Sequence, residues 1–200
     1  INILVKMMFP SLVQIFSGLD FAFLLLRGRE FDLIKSKVNF SSLGLWHVLF
    51  FSTFISILAK LTMLKIAFIN PLPSRLIIAT IPLMIIELCL FTMFVFYLIK
   101  FLNKGNYFFN FIISFLWLVS LQSLLVFLIS LLLWFFPSIA LIVGIIGAVI
   151  SIQILIVQFK LGRQLLNVGV MMAGGIVLGN VIIGILVGLL DQFAFSLVSG

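Results

Sequence analysis

The chain has 200 residues, of which 64% are apolar and only 8% charged, with a formal charge of +7. Water-soluble domains carry about 25% charged side chains, so the composition excludes an ordinary soluble domain. The basic residues are dispersed in short connections with no aromatic-interleaved basic patch, so nucleic acid is not expected as a partner.

The apolar residues come in runs of about twenty, the length a helix needs to cross a hydrocarbon core of about 30 Å. The expected fold class is all-α: a polytopic transmembrane helix bundle of five spans with an N-terminal amphipathic interfacial helix. Two regions follow, residues 1–40 as that helix plus a charged cytoplasmic connector, and residues 41–200 as the bundle.

In the first segment, 1–26, Lys6, Pro10, Gln14, Ser17 and Asp20 fall on one side of a helical projection, opposite a face of Leu, Ile, Val, Met and Phe. This pattern predicts a helix lying on the membrane surface. The rival is a sixth span over 7–26. The stretch 27–37 holds Arg27, Arg29, Glu30, Asp32, Lys35 and Lys37 and reads as a solvated cytoplasmic connector.

The five spans are expected at about 43–63, 76–99, 107–136, 138–159 and 168–190. Ser41 and Ser42 can cap the first. Trp46 sits at interface depth, and Lys60 is placed to snorkel outward at the far end. Pro71 and Pro73 separate spans one and two. Pro82 kinks span two, and Pro137 separates spans three and four. With the N-terminus inside, the inside receives Lys6, Arg27, Arg29, Lys35, Lys37, Lys100, Lys104, Lys160 and Arg163; the outside receives Lys60, Lys65 and Arg75. Nine against three predicts a cytoplasmic N-terminus and an outside C-terminus.

Span two contains one acid, Glu87, near its middle. An ionised carboxylate at the bilayer centre costs several kcal/mol unless it is paired or protonated. Gln122 of span three, Asn180 of span five and Thr53 of span one lie at the same depth, so these four residues form the candidate midplane polar cluster. Two roles are open to it, a proton- or cation-linked site or a clasp that fixes helix register. No basic residue is expected at the depth of Glu87. Span two is expected at the centre of the bundle, clasped to span five.

Span five is glycine-rich. Gly169, Ala173, Asn180, Gly184 and Gly188 share one face, with Gly175 and Gly179 opposite at GxxxG spacing. Small residues at these positions let neighbouring backbones approach, so they are expected to pack helices or a second copy of the chain. One cysteine, Cys89, and one histidine, His47, provide no metal cluster, and no cofactor is expected. The nucleophile-elbow, zinc-protease and P-loop motifs are missing, so the chain is not expected to be an enzyme.

The segment Val38-Asn39-Phe40-Ser41-Ser42-Leu43-Gly44-Leu45-Trp46 is similar to the start of the first span in uncharacterised bacterial inner-membrane proteins of the Yip1-like superfamily. The five-span layout with a glycine-rich last span resembles the same group. The serine–phenylalanine pair that follows in that pattern is replaced here by His47-Val48-Leu49-Phe50. The resemblance implies a helical bundle without catalytic residues, in a bacterial inner membrane, that acts through protein partners. The leading expectation is therefore a non-enzymatic membrane protein working through partner proteins, lipids or membrane assembly, with homo-oligomers among its partners. The alternative is a small transporter or permease component with Glu87 as its midplane coupling site.

Overall fold

The structure is a computed structural model that describes residues 9–67 and 74–199. Lys6, the start of the rival sixth span, Pro71 and Pro73 lie outside the described residues. Within them the chain forms seven α-helices and three short 3-10 turns. Five of the helices are long and apolar enough to cross a membrane, which makes this an integral membrane protein in contact with lipid.

Helix α1 (Leu12–Leu26) starts with a capping box: the Gln14 amide donates to Ser11 Oγ at 3.3 Å, and the Ser11 amide donates to Gln14 Oε1 at 2.8 Å. It stops at Gly28, whose φ of 78° lets the Gly28 and Arg29 amides turn back onto the Leu25 and Leu24 carbonyls. Its 15 residues make about 22 Å of helix, too short for a span. Nor does it rest on the membrane by itself. Gly18, Phe21, Ala22 and Leu25 are buried, and Gly18 lies directly against the Trp117 indole. The exposed side carries Leu12, Val13 and Phe16. Asp20, from the expected polar stripe, is tied to Lys37 at 2.5 Å.

The connector folds onto the same end of the bundle. A single-turn helix, α2 (Phe31–Ile34), buries both of its end residues. Phe21, Phe31 and Phe40 meet edge to face, with centroids 5.4 to 6.1 Å apart. Helix α3 (Ser42–Ala67) is capped by Ser41, whose Oγ accepts from the Gly44 amide at 3.3 Å. Gly44 is required here because the Asn39 carbonyl occupies the space a Cβ would take.

Helix α4 (Ser74–Phe101) runs without a break through Pro82. It ends at Asn103, held left-handed at φ 55°. Helix α5 (Phe108–Phe135) is followed by the Pro137 turn, α6 (Ala140–Leu166) and α7 (Val170–Ser199). Two spans run further as helix than expected: Lys160 and Arg163, expected in a connector, lie in the last turns of α6, and α7 continues past Asp191. The Lys104 ammonium donates to the Leu166 and Asn167 carbonyls, joining the α4–α5 turn to the C-terminus of α6.

The most extensive packing is between α3 and α5. Phe51 meets Trp117, Ser56 meets Ser123 and Lys65 lies over Trp134, so the two helices run parallel. Next comes α4 with α7, antiparallel, then α5 with α6. The centre of the bundle is therefore α5, not span two as expected: 50% of the α5 span is buried inside the protein, against 11% for α4. Serines at 114, 120 and 130 explain how α5 tolerates this, because each hydroxyl donates to its own helix's carbonyl four residues back. The clasp of span two to span five does form, as the α4–α7 contact.

The core is not evenly distributed in depth. Its buried cluster is built from Phe21, Phe91, Val95, Ile99, Phe111–Leu118, Leu161 and Leu166, all in the half of the bundle towards Lys104. The half towards Lys65 and Trp134 is looser, and it contains the polar groups described next.

Candidate functional site

Three helices bring ionisable side chains to one place. Helix α3 contributes Lys60, α4 contributes Glu87 and α7 contributes Asp191. The Lys60 ammonium lies 2.6 Å from Asp191 Oδ2, and the Thr80 hydroxyl donates to Asp191 Oδ1 at 3.2 Å. Thr80 and Glu87 are seven residues apart on α4, and Gly184 and Asp191 are seven apart on α7, two helical turns or about 10.5 Å in each case. The Thr80–Asp191 and Glu87–Gly184 contacts are thus two rungs of one antiparallel interface. At the deeper rung Gly184 has no side chain, and Glu87 Oε1 lies 3.4 Å from where its Cβ would be. The carboxylate rests against the α7 backbone. Within the described residues Glu87 receives no hydrogen bond and forms no ion pair.

Lys60, Met84 and Glu87 form a wall shared by two cavities. One, of about 250 Å³, lies among α3, α4 and α5 and is lined further by Ser56, Gln122 and Ser123. The other, of about 180 Å³, lies towards α7 and reaches Thr80, Gly188 and Asp191. Towards the Lys104 end the polar path stops. Phe91 is buried and stacks on Phe115 at 4.1 Å between centroids, and Phe94 closes over Gly179, whose missing Cβ would lie 2.6 Å from its ring.

Lys60, expected to snorkel outward near the end of its span, places its ammonium on Asp191 at the outer rung, and its side chain lines both cavities beside Glu87. Lys60 is held towards α7 because Asp191 lies at its level, and opposite charges attract more strongly where the pair is partly shielded from water. Asp191 is available because α7 continues past it. One sequence signal pointed to the pair: opposite charges at the same end of two spans that cross in the same direction.

The other expected cluster members are distributed around this site. Gln122 lines the larger cavity. Thr53 lies two turns from Lys60 along α3 and lines neither cavity. Asn180 faces the other way, donating to Oε1 of the buried Gln158 at 3.4 Å and so joining α7 to α6. Gln158 was not singled out by its sequence position. Of the small residues on span five, Ala173 is fully buried against Gly162, at 3.5 Å from the position of a Gly162 Cβ. Gly179 and Gly184 meet Phe94 and Glu87, whereas Gly169, Gly175 and Gly188 have open space where a side chain would begin.

No family model, curated protein or solved structure matches the chain.

Proposed function

We propose that this protein is a small membrane carrier, and that the Lys60–Glu87–Asp191 cluster is its proton- or cation-linked site. The observation that carries this reading is Glu87 itself: an intramembrane carboxylate beside two cavities, with the nearby ammonium already engaged by a second acid. Intramembrane acids that face cavities mark ion pathways, whereas a purely structural acid is expected to be saturated by hydrogen bonds. The asymmetry of the bundle supports the same reading. Within the spans the Lys60–Glu87–Asp191 cluster and its two cavities lie in one half, and the Phe91–Phe115 stack with Phe94 over Gly179 closes the path towards the other, as expected for a carrier with access from one side.

The excess of basic residues at the Lys104 end supports placing that end in the cytoplasm and the C-terminus of α7 outside.

The test is flux. Full-length protein reconstituted in liposomes is expected to dissipate an imposed proton gradient or a gradient of a co-transported solute, and Glu87→Gln is expected to reduce that flux at least tenfold. Equal flux in Glu87→Gln and wild type overturns the reading. That outcome favours the second, a non-enzymatic Yip1-like bundle acting through partner proteins or lipids. Its support is the five-span layout with α1 docked at one end.

A further inference from the structure

Two carboxylates and one ammonium leave one negative charge uncompensated in a site surrounded by apolar helices. Among the described residues the remaining polar lining of both cavities is uncharged: Gln122 and Ser123 from α5, Ser56 from α3, Thr80 from α4. A single monovalent positive charge therefore neutralises the cluster. An alkali cation needs several oxygen ligands in place of its water. The larger cavity has few to give, since Ser56 and Ser123 are hydrogen-bonded to each other at 2.7 Å and the rest of its wall is mostly aliphatic. A proton needs only one carboxylate oxygen.

The position of Lys60 adds a second element. It is bonded to Asp191, yet it lines both cavities together with Glu87. Its four-carbon stem is flexible, and both cavities that it lines are also lined by Glu87.

We propose that the cluster carries one exchangeable proton, and that Lys60 alternates between Asp191 and Glu87 so that the proton always occupies the acid Lys60 has left. With Lys60 on Asp191, Glu87 carries the proton on an Oε atom. When water in the cavity removes that proton, Lys60 turns to Glu87 and Asp191 takes a proton in its place. Charge balances in both states: two carboxylates, one ammonium and one proton sum to zero. This inference names the coupling ion of the site proposed above and rests on that reading.

The experiment counts neutral carboxyls by infrared spectroscopy of the full-length protein in liposomes at neutral pH, using the carbonyl stretch of a protonated acid. Wild type is expected to show one per chain. Glu87→Gln and Asp191→Asn are each expected to show none, because Lys60 pairs with the acid that remains. Lys60→Met is expected to show two, and Lys60→Arg one. A wild-type count of zero overturns the proton assignment. A neutral carboxyl that survives in Asp191→Asn overturns the alternation, since Lys60 then fails to reach Glu87. If Lys60→Met does not fold, the two acid variants decide the matter. The count does not depend on transport, so a correct count without flux refutes the carrier reading alone, and flux with a wrong count refutes this one alone.

Discussion

Lys60 is the residue whose replacement should be felt most, because two acids depend on one ammonium. Removing one partner of a partly buried ion pair costs more than the pair contributes, since the acids left behind must either stay charged or take up protons away from bulk water. Lys60→Met is therefore expected to lower stability, by less than the roughly 3–5 kcal/mol of a fully buried pair because the Lys60 side chain is 35% exposed. The triple variant Lys60→Met, Glu87→Gln, Asp191→Asn removes every charge and is expected to recover most of that loss. Unfolding in mixed detergent, followed by helical circular dichroism, measures both, and a triple variant no better than the single one counts against a shared charge network. The midplane acid itself was legible in the sequence, because a carboxylate in a run of apolar residues is conspicuous. Its partners were not. Lys60 and Asp191 lie near the ends of their spans, where charged residues are unremarkable, and only the packing of α3 and α7 beside α4 turns them inward.

At the level of elements, glycines differ by what stands in front of them. A Cβ on Gly18 would enter the Trp117 indole, which is buried and packed against Phe51 at 5.8 Å between centroids and has no room to move. A Cβ on Gly44 would enter the Asn39 carbonyl, which is backbone. Gly18→Ala and Gly44→Ala are each expected to destabilise by about 1–3 kcal/mol, the range for overpacking. The Gly18 variant should also release α1, read as faster proteolysis between Arg27 and Lys37. Gly175 faces open space, so Gly175→Ala should be neutral or stabilising by up to about 1 kcal/mol through helix propensity. Comparable losses at Gly18 and Gly175 would show that helix propensity, not contact, sets the effect. The ends of α1 were legible from Ser11, Gln14 and Gly28, whose capping chemistry is local. Its docking was not, because Gly18 finds its partner on a helix about a hundred residues later.

For the whole molecule, charge distribution along the membrane normal sets a testable orientation. A reporter active only in the cytoplasm is expected to be silent when fused after the last residue and active when inserted in the α4–α5 turn near Lys104. The opposite pattern would reverse the bundle and place the cavities on the cytoplasmic side. Depth also organises stability. The core lies towards the Lys104 end, where α1, the connector and the Lys104 clamp all add contacts. Amide hydrogen exchange in bilayers should therefore be slower over Phe111–Leu118 than over the part of α5 near Trp134.

The sequence by itself determined the helical class, the five spans and most of their limits, because each follows from the length of an apolar run and from capping or breaking residues within a few positions. It also determined that an acid stands in the middle of span two. Only the tertiary structure decided that α5 is the centre, that Asn180 pairs with Gln158, and that Lys60 is held by Asp191 beside Glu87. The physical reason is rotation. Apolar runs state how deep a residue lies, but not which way it faces about its helix axis, when every face is apolar enough for lipid. Facing is settled by contacts between helices, and the charge pairing that defines the site is such a contact.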